Sequence, residues 1–221
     1  VIKTQREQEE SMTRFAIWGW LGLVAASSAA LYAQQKSVYA TGLNNPTRLI
    51  AVPSGGLLVT EVGAPPNSGR ISYIGTGGRV QPILDGLPSG ASAPEGTLDG
   101  PNGLALSGRT LYISNAEGDS FSAGPRPGTV VPNPSGASSP IFSSILKVVF
   151  STDPAAITMP FVLTRAQQDI LADGLTVTLD NGAGDTAVLE LLADFRDSVP
   201  DPRTIYRNSH PYSLTLSAAD P

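Results

Sequence analysis

The chain has 221 residues, a formal charge of −5 and no cysteine. No basic stripe interleaved with aromatics runs along it, which excludes a nucleic-acid-binding role. With no cysteine there is no disulfide framework, so an exported form depends on packing alone. Its 23 glycines and 19 prolines are separated by β-branched runs, a pattern that suits tight turns between short strands rather than disorder.

Residues 1–11, VIKTQREQEES, are polar and lack hydrophobic periodicity, and read as a disordered or upstream-read lead-in. From Met12 to Ala33 the text changes: Arg14 precedes an uncharged apolar run from Phe15, ending in small residues. This predicts a helical secretory signal peptide cleaved after Ala30 or Ala33, with retention as a membrane anchor as the competing reading. The expected location is periplasmic or extracellular, with membrane contact only through that segment if it is uncleaved.

Beyond it, one phrase recurs. NPTRLIAVPSGGLLVTEVG from Asn45, GPNGLALSGRTLYISNAEG from Gly100 and HPYSLTLSAADP from His210 each place a proline before a short strand. Pro46, Pro101 and Pro211 align, as do Leu49, Leu104 and Leu214. A recurring all-strand unit of this length predicts an all-β fold, a partial β-propeller within 34–221. Its expected parts are two four-stranded blades, about 38–88 and 95–164, and the first strand of a third from about 208. The third copy stops at Pro221, so the chain reads as the N-terminal fragment of a longer protein.

In the first unit, strands near 47–52 and 57–61 flank PSGG, and Gly69–Ile74 and Arg79–Asp85 flank GTGG. In the second, NGLALS, TLYISN, SSILKVVFS and MPFVLT supply the four strands, with 118–140 an aperiodic surface loop. An insertion over about 165–205 follows. It holds a short helix announced by the capping box Thr164 with Gln167, then a hairpin across the glycine-rich turn of LTVTLDNGAGDTAVLELL.

In its order of pieces the chain resembles the scytonemin-biosynthesis-associated ScyD/ScyE family, exported propellers similar in pattern to NHL-repeat and gluconolactonase-like six-bladed propellers. The resemblance runs from about Val38 to Pro221 through VYATGLNNPTRLI, LLVTEVG, DGPNGLALSGRTLYISNAEGD, SSPIFSSILKVVFS, LADGLTVTLDNGAGDTAVLELLADF and NSHPYSLTLS. It implies an exported propeller fold; because no complete catalytic set is present, the expected role is a binding or scaffold module without a cofactor, engaging a protein or small-molecule partner. The alternative it implies is a divalent-metal-dependent hydrolase of the lactonase kind. A quinoprotein sugar dehydrogenase ranks third, on LLVTE alone. In the hydrolase reading, oxygen donors from several blades converge on a channel metal such as Ca²⁺. Glu61 and Asn115, which close equivalent strands, are the candidate metal ligands; strand-capping is their structural alternative.

Two acidic loops, with Glu95 and Asp99 in one and Asn115, Glu117 and Asp119 in the other, offer oxygen donors for a surface calcium site or are simply solvated. Asp180–Asp185 lacks EF-hand spacing and reads as a hairpin turn. His210, the only histidine, stands where Asn45 and Gly100 stand in the other copies, and is read as a turn residue. There is no G-x-S-x-G elbow and no P-loop, so no catalytic residue is assigned. The sequons at Asn45 and Asn133 both carry proline in the middle, so glycosylation is not implied.

Overall fold

The computed structural model describes residues 36–64, 66–93, 95–196, 198–200 and 206–217. The lead-in and signal-peptide segments predicted above lie outside them. The chain divides into two compact units, Val1–Tyr39 and Ala40–Pro221. Of the first, only 36–39 are described, and they carry no regular element. Among its described residues the second unit is built mostly of strands, with one α-helix, and no sheet closes into a barrel. Among the described residues no helix is long and apolar enough to cross a membrane.

The first sheet begins with β1 (Pro46–Ala51), β2 (Leu57–Glu61), β3 (Gly69–Ile74) and β4 (Val80–Leu87), an antiparallel meander in chain order. These strands fall where the alternation and glycine turns put them. A two-residue pair follows, β5 (Gly90–Ala91) with β6 (Leu98–Asp99). The second sheet opens with β7 (Pro101–Ser107) and β8 (Thr110–Asn115).

The loop after β8 is more ordered than its composition predicts. It carries a small hairpin, β9 (Phe121–Ala123) with β10 (Val130–Pro132). Asn133 Nδ2 donates to Asp119 O at 2.8 Å, and the Asp119 carboxylate accepts from Ser138 N at 2.8 Å and Ser138 Oγ at 3.0 Å. These bonds fold the Gly/Pro/Ser stretch back on itself without apolar periodicity.

β11 (Ser144–Phe150) pairs with β8 and alternates cleanly, burying Leu146, Val148 and Phe150. A 3₁₀ turn at Pro154–Ala156 then leads to β12 (Phe161–Val162), and here the chain departs from the expected repeat. Met159–Thr164 was expected to be the fourth strand of the second unit, so that the unit ended near 164. Instead β12 leaves that sheet and pairs in parallel with β4, through Phe161↔Leu84 and Val162↔Asp85. The first sheet is therefore five-stranded, in the order β1-β2-β3-β4-β12.

Helix α1 (Arg165–Ala172) follows with its capping box formed, Thr164 N donating to Gln167 Oε1 at 2.9 Å and Gln167 N to Thr164 Oγ1 at 3.3 Å. The predicted hairpin is β13 (Val177–Asp180) with β14 (Thr186–Asp194), and β14 pairs with β11 as the second sheet's fourth strand. The residues placed in an insertion thus supply two strands of the second sheet, which is five-stranded in the order β13-β14-β11-β8-β7. The physical reason is length and pattern. β14 offers a nine-residue strand with Ala187 and Leu189 on the core side, whereas Met159–Thr164 contains Pro160, which has no N–H to donate to a ladder. β15 (Ser198–Pro200) pairs with β16 (Tyr206–Asn208). Pro211–Ser217, expected to start a third blade, has no strand partner among the described residues.

One core joins the sheets: Leu58, Ile71, Ile83 and Leu84 from the first meet Leu104, Ile113, Leu146, Val148, Phe150 and Leu189 from the second. Burying each such side chain contributes about 1.5–3 kcal/mol. Along the first strands the contact is polar and exact in register: Thr47 Oγ1 donates to Pro101 O at 2.8 Å. Beside it, Arg48 Nε reaches Asn102 O at 3.5 Å.

Candidate functional site

The predicted equivalence of Glu61 and Asn115 holds in backbone register. Pro46 pairs with Glu61 and Pro101 with Asn115, each beside an irregularity that follows the proline. The next residues repeat it, with Val62 N donating to Asn45 O at 3.1 Å and Ala116 N to Gly100 O at 2.8 Å.

Their side chains do different work. Glu61 is buried, and both carboxylate oxygens are engaged: Oε2 accepts from Asn44 N at 2.5 Å and Oε1 from the Ser72 hydroxyl. Each oxygen thus already serves one protein donor, which fixes the carboxylate between the Asn44 backbone and the Ser72 hydroxyl. Asn115 is fully buried and donates through Nδ2 to Ser144 Oγ at 3.2 Å. Its Oδ1 is buried with no hydrogen-bond partner. Asp180 and Asn181 hold their own turn, accepting from Gly182 N at 2.6 Å and Ala183 N at 2.9 Å, as an Asx-type turn does. Of the two acidic loops, Asp119 is spent on Ser138 and Glu95 is exposed.

The remaining acids of those loops meet the lone histidine. Asp99 ends β6, Glu117 lies two residues beyond β8, and His210 directly precedes Pro211. Their ligand atoms all lie within 4.8 Å of one another, and among the described residues no other group of His, Cys, Asp or Glu does this. His210 Nδ1 stands 2.5 Å from Glu117 Oε2, and Nε2 stands 3.9 Å from Asp99 Oδ1. Asn102 Nδ2 adds a contact at 3.1 Å to Nε2.

Several bonds bring the His210 segment here. Ser143 Oγ donates to Ser209 O at 2.9 Å, and Arg48 donates to Tyr212 O at 3.3 Å with its guanidinium 5.6 Å from the Tyr212 ring. The His210 and Tyr212 rings stack at 5.6 Å. Exposure is graded: the Glu117 side chain is 7 % exposed, Asp99 16 % and His210 33 %. The imidazole thus closes a carboxylate-lined recess and keeps one side toward solvent.

The electrostatics follow from that grading. The Glu117 hydrogen bond raises the His210 pKa above 6.5; burial opposes this, and the charges of Glu117 and Asp99 reinforce it. Burial raises Asp99 above 3.8; Ser92 works against the shift and Glu117 adds to it. A histidine with a raised folded-state pKa adds stability below its unfolded value and loses it as pH climbs through the folded one. Asp99 acts in the same sense, because folding favours its protonated form. In metal-free protein the melting temperature is therefore expected to fall as pH rises above 6.5. The fall should be shallower in His210→Gln. Thermal melts across pH check this, and parallel profiles for the two proteins would refute it.

The sequence carried a signal for this cluster that residue-by-residue reading passes over. Aligning the repeats sets His210 on Gly100, beside Asp99, while Glu117 follows the second strand of that same repeat. In the sequence alignment the three residues thus fall next to the ends of the aligned first and second strands.

Comparison with known proteins adds no relative: no family model matches the chain, and neither a curated protein nor a solved structure does.

Proposed function

We propose that the two sheets are consecutive blades of a β-propeller of the ScyD/ScyE kind and that the protein is an exported binding or scaffold module. The observation that carries the architectural part is the repeated register, Pro46↔Glu61 and Pro101↔Asn115, with the first strands of the two sheets side by side. Stacked repeats of this sort bury each sheet against the next. The end where His210, Asp99 and Glu117 gather is the face offered to a ligand, flanked by the β9–β10 hairpin. Export rests on the 12–33 segment of the sequence.

With no complete catalytic set in the sequence, the binding module stands ahead of the lactonase-type alternative. Incubating the protein with a simple γ-lactone and Ca²⁺ should give no hydrolysis above background. Turnover that disappears in Glu61→Gln would replace the binding reading with the hydrolase.

A further inference from the structure

We propose that Asp99, Glu117 and His210 form a binding site for one divalent ion of the zinc class. The inference stands on geometry and donor chemistry. Three separate segments deliver one nitrogen and two carboxylates whose donor atoms lie within 4.8 Å of one another. An imidazole among the donors selects Zn²⁺ and neighbouring transition metals over Ca²⁺ or Mg²⁺, which take oxygen. Three protein ligands with one side open to solvent is the coordination of zinc sites that keep an exchangeable position.

The ion would sit between His210 Nδ1 and Glu117 Oε2, which now stand 2.5 Å apart. Two zinc bonds at a tetrahedral angle hold their donor atoms about 3.3 Å apart. The present 2.5 Å must therefore widen by less than an ångström. His210 can supply that movement, because its ring is the most exposed of the three and its segment belongs to no sheet. Glu117 supplies the buried, fixed end. A carboxylate held this far from water needs a compensating cation or donor, and at present the imidazole is in that place. Asn102 Nδ2 lies against the other ring nitrogen, Nε2, at 3.1 Å and helps to orient the imidazole.

The test titrates metal-stripped full chain with Zn²⁺, counts bound metal after dialysis and follows the imidazole by NMR, unambiguous because His210 is the only histidine. One zinc per chain is expected, with the His210 resonances shifting in step with occupancy. Glu117→Gln and His210→Asn should each weaken binding about tenfold or more, with folding checked by circular dichroism. Should either fail to fold, Asp99→Asn carries the same expectation. Sub-stoichiometric zinc, zinc that leaves the imidazole signals unmoved, or Ca²⁺ bound as tightly as Zn²⁺ overturns the proposal. The lactone assay is separate, so this site can fail while the binding-module reading stands.

Discussion

Replacing Gly86 by alanine is expected to lower the unfolding free energy by about 3 kcal/mol. Gly86 has φ +79°, where an L side chain is strained by its own carbonyl. A Cβ there would also run into Leu163, its carbonyl carbon at 3.1 Å and its nitrogen at 3.3 Å, with the oxygen nearer still. The obstacle is backbone, so no flexible side chain can swing aside. That backbone is itself pinned: Leu163 N donates to Asp85 O at 2.9 Å, and Gln168 Nε2 donates to Gly86 O at 2.9 Å. Gly108→Ala separates the two costs. Gly108 has φ +56° and nothing within 4 Å of the added carbon, so it should lose only the conformational part, about 1 kcal/mol. Denaturant melts of both variants make the comparison. Equal losses would mean that the close approach of Leu163 to Gly86, next to the β4–β12 pairing, yields easily.

Phe150→Ala should cost about 3–5 kcal/mol, the range for emptying a buried aromatic site. Phe150 is 1 % exposed on β11, and its ring centroid lies 5.8 Å from that of Phe161 at an interplanar angle of 31°. Phe161 belongs to β12, so this pair ties a strand of the second sheet to a strand of the first. Phe161→Ala should cost a comparable amount. The double variant should lose less than the sum of the two, by about 0.5–1.5 kcal/mol, the coupling typical of an aromatic pair. Strict additivity in the double-mutant cycle would show that the two rings do not hold the sheets together.

What could be read from the sequence was local or periodic. The recurrence of Pro46 at Pro101 announced a backbone register that the ladders reproduce, because a hydrophobic alternation allows only one face to be buried. The capping box at Thr164 and the turn from Asp180 were legible because their hydrogen bonds close within a few residues. β12 was not. Two residues pairing in parallel with a strand far back in the chain leave no periodicity, and Met159–Thr164 looks like any short apolar strand. The candidate site was legible only in fragments. Asp99 and Glu117 were visible as loop acids and His210 as a turn residue, but their meeting depends on long-range contacts such as Ser143 with Ser209 and Arg48 with Tyr212. Glu61 illustrates the converse: its equivalence to Asn115 was readable, whereas its carboxylate is taken up by Asn44 and Ser72.

The route of the chain through β11, β12 and β14 has a consequence for biosynthesis. A strand at a sheet's rim offers unpaired amide and carbonyl groups to any other chain that passes, which is how edge-to-edge aggregation begins. β4 is complete once Leu87 has been made, but the strand that covers its outer edge begins only at Phe161. At a synthesis rate of about 5–20 residues per second, that edge stays open for several seconds while the next strands emerge. In a simple repeat array each unit would be sealed by its immediate successor. Here the first sheet waits for a clasp threaded back from the second, and a nascent chain stalled in that interval is the form of this protein most exposed to misassembly.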